Sequence, residues 1–256
     1  MRRSLNAVWV CLGMITSGGV ALAQLNFIAC PIVRDTKTVP CFLAEYDGEL
    51  YFLGVQFLGV QQDIASEFHS LELRPPQLKH EVLVEGRVAE GPRICGGIPL
   101  KPLSISVLKE INLACNTLLP AEPGIEAPPA PQRRSEVAGA PREPLTGPHE
   151  FTVLYAFDDD YLGYPAGQVV GEAGAYARAI GASNVKVSGY RGATVFSNGE
   201  RLVEKAGLAE KRAQNIATVL RGLGVARVTV EWKNEPEPAD GRTDAARRRV
   251  AVLVTP

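Results

Sequence analysis

The sequence predicts two folded parts joined by a proline-rich linker: a small disulfide-bonded β domain, then an α+β domain in which helices cover one face of a mixed sheet. Three observations predict this organisation. Four of the five cysteines lie between residues 30 and 115, residues 118–149 contain eight prolines, and strand-like and helix-like stretches alternate from residue 150 onwards. A chain of 256 residues with 46% hydrophobic content can form two such domains.

Residues 1–23 have the pattern of an export signal. The segment MRRSLNAVWVCLGMITSGGVALA starts with basic residues, continues with an apolar stretch and ends in small residues that predict cleavage after Ala23. A membrane anchor is the alternative, but polar and glycine residues at positions 16–19 interrupt an apolar run that is short for a membrane span. We therefore predict an exported protein.

The β domain is predicted over residues 24–117. The stretches GELYFLGVQFLGV, HEVLVEGRVAE and LSISVLKEI are rich in β-branched and aromatic residues and are separated by glycine and proline turns. About five strands in this length suggest a small barrel of the OB type, closed or partly open. Because the segment lacks a stripe of basic and aromatic residues, and the net charge of the chain is −1, no nucleic acid is predicted as a partner.

The cysteines of this domain are Cys30, Cys41, Cys95 and Cys115. An even number of cysteines in an exported chain predicts two disulfides, and the sequence leaves all three connectivities open. Zinc is the alternative for four thiolates, but no C-x-x-C pair is present and the compartment is oxidising. We therefore expect neither a metal nor another cofactor.

Residues 118–149 are predicted to be a linker, because they show no periodic apolar pattern. Their proline density favours extended conformations with a rise of about 3.1 Å per residue, so the segment can separate two domains by up to ~90 Å. We expect the domains on either side to fold separately.

The α+β domain is predicted over residues 150–256. EFTVLYAF, NVKVSGY, ARVTVEW and ARRRVAVLV have the composition of strands, whereas PAGQVVGEAGAYARAI and LAEKRAQNIATVLRGLGV have the spacing of helices. In the second helix, Ala213, Ile216 and Leu220 share an apolar face. Arg212 lies at the border of that face, where it either covers the core edge with its methylenes or offers a rigid guanidinium to a carboxylate.

A run of acids, Asp158–Asp160, is the one sequence feature that suggests catalysis. Clustered carboxylates shift one another's pKa. The run, however, follows a strand and precedes a helix, where acids commonly cap the helix N-terminus. Because the sequence also lacks a nucleophile–base pattern, a phosphate-binding glycine loop and zinc spacing, we predict that the protein is not an enzyme.

The order of these elements, with VKVSGY, LAEKRAQNIATVLRGLGV and ARRRVAVLV, resembles the peptidoglycan-binding C-terminal domain of the outer-membrane protein A (OmpA) family over residues 150–254. In that family a strand ends in a Gly-His-Thr-Asp turn, a helix carries Leu-Ser-x-x-Arg-Ala, and the last strand opens with Asn-Arg-Arg-Val. The corresponding elements here read GYRG, LAEKRA and RRRV. They put Tyr190 at the histidine position, Gly192 at the aspartate position, and Arg212 and Arg248 at arginine positions.

The resemblance implies that Arg212 binds a carboxylate of diaminopimelate in the peptidoglycan stem peptide. The family aspartate, which pairs with the ammonium group of that ligand, is replaced here by Gly192, and about five extra residues precede the helix. Glu200 or Glu204 in this inserted segment is a candidate substitute for the missing acid. Asp244 is expected to cap a short helix or to pair with Arg248.

The resemblance therefore implies a non-catalytic cell-envelope protein of the periplasm, with association with the outer membrane as an option. Its predicted function is docking of the OmpA-like domain to peptidoglycan, while the cysteine domain binds an unidentified envelope protein. The alternative is a structural or protein-interaction module whose diaminopimelate site is degenerate. The first prediction needs an acid of the chain to replace the missing aspartate near Arg212, and the second does not.

Overall fold

The computed structural model describes residues 24–55, 78–128 and 147–256. The predicted export signal and the middle of the predicted linker lie outside these ranges. Within them, no helix is both long enough and apolar enough to cross a membrane.

The first part of the chain is a seven-stranded sheet. Its strands are β1 (Gln24–Ala29), β2 (Pro31–Arg34), β3 (Cys41–Tyr46), β4 (Glu49–Val55), β5 (His80–Val88), β6 (Ile98–Ile111) and β7 (Thr117–Leu119). The strands lie in the order β1-β5-β6-β4-β3-β2-β7. Because this order ends on β1 and β7, the described strands do not form a closed sheet, and the predicted OB-like barrel is not shown.

Two disulfides cross-link this sheet. Cys30, between β1 and β2, is bonded to Cys115, and Cys41 at the start of β3 is bonded to Cys95. The predicted disulfide bonds are therefore present, and the structure selects one of the three connectivities. Disulfide sulfurs are not thiolates, so these four positions offer no ligands for the zinc alternative.

The first residues of the predicted linker pack onto the sheet. Leu118 and Leu119 belong to β7, which pairs in parallel with β2. Ile125 packs against the buried cluster that contains Leu43 and Phe52. The folded first part therefore continues past residue 117, the end that the sequence predicts for it.

The second part contains a four-stranded sheet, three helices and a hairpin. The sheet strands are β8 (His149–Leu154), β9 (Asn184–Gly189), β12 (Val228–Trp232) and β13 (Arg249–Thr255), in the order β12-β9-β13-β8. The hairpin strands are β10 (Ala193–Val195) and β11 (Arg201–Val203). The helices are α1 (Tyr164–Ala179), α2 (Leu208–Gly222) and the short α3 (Asp244–Arg247).

The four-stranded sheet is mixed, and α1 and α2 cover the same face of it. β9 and β12 are parallel, whereas β13 is antiparallel to both of its neighbours. Val170 of α1 and Ile216 of α2 pack into one core with Val153, Val187 and Val252 of the sheet. The α+β prediction, a mixed sheet with helices on one face, is confirmed at this level.

The extra residues before α2 form the hairpin. β10 and β11 pair antiparallel over three residues each. Gly207 then caps α2 with φ 84°, a left-handed conformation that glycine adopts without steric cost. The chain therefore turns from the hairpin into the helix within four residues, and Glu204 lies in this turn.

The two parts of the chain are in contact. Arg248, immediately before β13, pairs with Glu85 of β5, and Asn26 of β1 bonds to the β10–β11 hairpin. All three side chains are buried. The predicted linker therefore connects parts that contact each other.

Candidate functional site

Two of the four residues that the resemblance singles out, Arg212 and Gly192, bind the carboxylate of Glu204. Arg212 donates to both oxygens of this carboxylate, at 2.6 and 3.0 Å, and neither side chain has any solvent exposure. The backbone N–H of Gly192 donates to the same carboxylate at 2.7 Å. Arg212 also reaches the carbonyl oxygen of Tyr190, at 3.4 Å.

Every N–H of the Arg212 guanidinium has an acceptor within the chain. Besides the contacts to Glu204 and Tyr190, Nε donates to the carbonyl of Asp159 at 2.7 Å and Nη2 donates to the carbonyl of Ala156 at 3.2 Å. A guanidinium has five N–H donors, and these five contacts use all of them. No donor is left for an external carboxylate while Glu204 stays in place.

Glu204 is itself held from several directions. Its carboxylate accepts the backbone N–H of Asp158 at 3.1 Å as well as that of Gly192. Its own backbone N–H donates to the carbonyl of Gly192 at 3.2 Å, and Arg191 donates to its carbonyl. A buried carboxylate that accepts bonds from two backbone N–H groups and from a guanidinium is fully compensated for its burial.

Glu204 thus lies where the resemblance expects the ligand's carboxylate, on the guanidinium of Arg212. The sequence suggested Glu204 as a substitute for the missing aspartate, which would have bound the ligand's ammonium group. The structure instead pairs it with the arginine. Glu200, the other candidate, is exposed, and its carboxylate accepts a bond from Asn198.

The position of the missing aspartate has no room for a side chain. A Cβ atom built on Gly192 would lie 2.9 Å from Cγ of Arg248, closer than real Cβ contacts come. Arg248 is itself held in place by Glu85. The replacement of the family aspartate by glycine therefore fits the packing of Arg248 against this turn.

Arg248 lies near this turn, but its partner comes from the first part of the chain. Its Nη1 donates to Glu85 Oε1 at 2.9 Å and to Thr194 Oγ1 at 3.1 Å, and its Nη2 donates to Glu85 Oε2. Burial lowers the pKa of Arg248, but the charge and hydrogen bonds of Glu85, together with the charges of Glu204 and Asp244, outweigh burial and raise it. The guanidinium is therefore charged at every pH at which the protein is folded.

Sequence reasoning did not identify Glu85. It lies in β5 after three consecutive buried residues, Val82, Leu83 and Val84, and is itself buried. An acid inside such a run is the signal that was available, since acids are almost never fully buried unless paired. The partner in a different part of the chain was not predictable from spacing.

Tyr190 forms the more exposed side of this region. Its half-buried ring lies 4.4 Å from Cζ of Arg249 and 5.1 Å from Nζ of Lys233. The negative face of an aromatic ring attracts cations, so the Tyr190 ring attracts both Arg249 and Lys233. Arg249 also forms an ion pair with Glu237 at 2.7 Å.

The Asp158–Asp160 run takes part in structure. Asp158 and Asp160 pair with Lys205 and Lys211, at 3.5 and 2.8 Å. Asp159 pairs with a further lysine of β6 and offers its carbonyl to Arg212. Among the described residues, no group of three or more His, Cys, Asp and Glu side chains is placed to hold a metal ion.

Asp244 acts as an acceptor for a loop. Its carboxylate accepts the backbone N–H groups of Asp240, Gly241 and Val195 at 2.8, 2.9 and 3.0 Å. It lies in the first turn of α3, and Thr243 is the capping residue. Of the two expected roles, neither describes it fully: Asp244 ties the hairpin to the loop before α3.

The sequence matches no family model. It also matches no curated protein. Among solved structures, the OmpA-like domain of FopA1 from Francisella tularensis subsp. tularensis SCHU S4 is 18% identical with a TM-score of 0.33, and the alignment covers 42% of this chain and 71% of that one. A putative MotB like protein from Desulfovibrio vulgaris is 20% identical, with a TM-score of 0.34 and coverage of 42% and 73%.

A third structure, the cell wall anchor of the T6SS from Pseudomonas aeruginosa, is 21% identical with a TM-score of 0.33, and coverage is 43% of this chain and 82% of that one. By their names, these proteins are of the kind that the sequence resemblance points to. At such identities and TM-scores the similarity assigns neither a function nor a role to any residue.

Proposed function

We propose that the protein is a non-catalytic component of the cell envelope in which the OmpA-like part is a structural and protein-interaction module whose diaminopimelate site is degenerate. One observation carries this proposal: the guanidinium of Arg212 is fully buried and forms an ion pair with the carboxylate of Glu204. The chain supplies its own counterion at the point where a cell-wall ligand would have to bind.

A peptidoglycan carboxylate would have to displace Glu204 before it could bind Arg212. Glu204 precedes Arg212 by eight residues in the same chain, so it competes at a high effective concentration. Separating a buried ion pair costs on the order of 3–5 kcal/mol. The ligand's ammonium group would gain nothing in return at Gly192, which carries no charge.

The envelope location is part of the same proposal. Disulfides such as Cys30–Cys115 and Cys41–Cys95 form in an oxidising compartment such as the periplasm. The predicted export signal over residues 1–23 agrees with this location, and the proposal includes association with the outer membrane. The proposed organisation is a β domain over residues 24–117, a linker over residues 118–149 whose first residues pack on that domain, and a domain over residues 150–256. We propose an envelope protein as the partner of the first domain.

We also propose that the first part is an OB-like barrel. β1 and β2 are separated only by Cys30, and they pair with different strands, β1 with β5 and β2 with β3. The pairs β5–β6, β6–β4 and β4–β3 complete a circuit that returns to this bent first strand. A five-stranded circuit of this kind is the arrangement expected of a small, partly open barrel.

The experiment is sedimentation of the mature chain, residues 24–256, with insoluble peptidoglycan sacculi. We expect the wild type to stay in the supernatant, together with the Arg212→Ala variant and the exposed-arginine control Arg221→Ala. A known peptidoglycan-binding protein provides the positive control. Circular dichroism tests whether each variant is folded. If Arg212→Ala is not, competition of the wild type with free diaminopimelate decides the matter.

The proposal fails if the wild type and Arg221→Ala sediment with sacculi while free diaminopimelate and the Arg212→Ala substitution both abolish sedimentation. That result would mean that Glu204 leaves the guanidinium on binding. Sedimentation that neither diaminopimelate nor Arg212→Ala affects would place the cell-wall contact on another surface and would leave the closed site intact.

A further inference from the structure

We propose that the OmpA-like part carries a docking surface for the β part of the same chain, built from Arg248 and the inserted β10–β11 hairpin. This inference goes beyond the proposed function, because it concerns a second arginine and a different partner. Its centre is the interface cluster, which we define as Asn26, Glu85, Thr194 and Arg248. All four residues are buried.

The charged half of the interface cluster is a closed ion pair between the two parts. The side chains of Glu85 and Arg248 are 4% and 0% exposed, and two guanidinium nitrogens meet two carboxylate oxygens. Thr194 of β10 donates to Glu85 Oε1 at 2.7 Å and accepts from Arg248 at 3.1 Å. A bidentate arginine contact of this kind fixes geometry as well as charge.

The neutral half of the interface cluster is Asn26, which lies opposite Glu85 in the β1–β5 register. Its side-chain amide donates to the carbonyls of Val195 and Gly241 at 2.9 and 2.7 Å. Its backbone exchanges two bonds with Ser197, at 3.0 Å to the hydroxyl and 2.9 Å from the backbone N–H. The hairpin therefore adds to β1 through both main-chain and side-chain contacts.

The contact continues away from the interface cluster and becomes more exposed. The backbone N–H of Phe157 donates to Ser106 Oγ of β6 at 2.8 Å, and both residues are buried. Exposed ion pairs lie beyond it: Lys109 with Asp159 at 3.5 Å, and Lys205 with Glu110 at 3.3 Å. A buried centre held by charged and neutral hydrogen bonds, surrounded by a charged rim, is the arrangement of specific protein interfaces.

The chemistry of this surface fits one partner, the β1–β5–β6 face of this chain. Arg248 cannot lose its proton, so it needs a buried acid opposite it, and Glu85 provides one. Thr194, Val195 and Ser197 all belong to the segment inserted before α2, so the insertion supplies much of the contact. The structure thus gives the hairpin a role: it carries polar groups from the OmpA-like part to the β part.

The test is to cut the mature full-length chain between the two parts and ask whether they stay together. A protease site is introduced within residues 129–146, and cleavage is done on the folded, oxidised protein. Both disulfides lie before the cut, so no covalent bond joins the two pieces afterwards. Size-exclusion chromatography with light scattering then gives the mass of the species at each dilution.

We expect the cut wild type to elute as a one-to-one complex of its two pieces. Glu85→Ala should weaken that complex by about 30-fold or more, because it leaves Arg248 buried without a counterion. Glu45→Ala, which removes an exposed glutamate from β3, is the matched control and should behave as wild type. Asn26→Ala tests the neutral half of the interface cluster and should also weaken the complex.

Three outcomes would overturn the proposal. The pieces of the cut wild type separate, the complex contains two copies of each piece, or Glu85→Ala and Asn26→Ala leave its stability unchanged. If Glu85→Ala does not fold, two measurements still test the proposal: whether the pieces of the cut wild type stay together on dilution, and whether Asn26→Ala weakens their complex. Because none of these measurements involves peptidoglycan, their outcome is independent of the sacculi experiment.

Discussion

Arg212 and Arg248 each bring a positive charge into the interior, and each is neutralised by one glutamate. The cost of removing such charges from water is high, and the paired glutamate and further hydrogen bonds offset it. Among the described residues, Nε of Arg248 has no hydrogen-bond partner. Arg212 bonds to Glu204 and to backbone carbonyls, and its Cζ lies 4.7 Å from the centroid of the Tyr155 ring. Each arginine therefore links separate segments of the chain through its buried ion pair: Arg212 links α2 to the turn before it, and Arg248 links the start of β13 to β5.

Replacement of Arg212 by alanine should destabilise the fold strongly. The substitution leaves the Glu204 carboxylate buried without its counterion, which costs about 3–5 kcal/mol in the free energy of unfolding. Arg221 lies on the exposed side of the same helix, so Arg221→Ala should change stability by less than about 0.5 kcal/mol. Urea unfolding of both variants measures the difference, and similar values for the two would show that Arg212 is not held as described.

At the scale of elements, periodicity was sufficient for the long pieces of the second part. Both α1 and α2 and all four strands of its sheet lie where the residue patterns predict them, because their apolar faces recur over five or more residues. The sequence pattern does not predict the hairpin strands or β7, since three residues are too few to show an alternation. The sequence names Glu204 as a candidate acid for the site, but it predicts neither the pairing of Glu204 with Arg212 nor the pairing of Glu85 with Arg248.

The reason lies in what sequence spacing can report. Tyr190 and Gly192 lie between β9 and β10, and Arg212 lies in the second turn of α2, which packs on β9; motif order captures this proximity. The pairing of Arg248 with Glu85 joins residues 163 positions apart, and only the packing of one part on the other creates it. A buried acid within a hydrophobic strand therefore indicates that a charged partner exists, but the sequence does not identify that partner.

The loop after β8 is tied to α2 by a pair that should respond to pH. A hydrogen bond from Lys211 holds the pKa of Asp160 below its ordinary value of 3.8. A lowered pKa means that the pair stabilises the fold above the ordinary value and that this contribution is lost as the pH falls below it. The wild type should therefore exceed Asp160→Asn in unfolding free energy at about pH 7, and the gap should shrink towards about pH 3.

Urea unfolding at several pH values checks this expectation. Glu150→Gln, an exposed acid on the outer face of β8, serves as the control for general effects of acid on the variant comparison. A gap between wild type and Asp160→Asn that stays constant over the whole range would contradict the assignment.

At the scale of the whole molecule, both arginines that the resemblance implicates form ion pairs within the chain. One is neutralised by Glu204, between the hairpin and α2, and the other by Glu85 of the first part, so the second part presents neither guanidinium to solvent. The linker is long enough to hold the two parts far apart, yet their buried residues meet. The two arginines of the second part therefore form internal ion pairs, one within that part and one with the first part.

A double-mutant cycle on Glu85 and Arg248 tests this view for the intact protein. Glu85→Leu and Arg248→Met each leave one buried charge unpaired, and each should lower the unfolding free energy by about 3–5 kcal/mol. The double variant removes both charges and keeps apolar volume in their place, so it should lose much less than the sum of the two single changes. Urea unfolding of the four proteins gives the coupling free energy. Additive losses would mean that the two side chains stabilise their own parts separately and that no ion pair joins them.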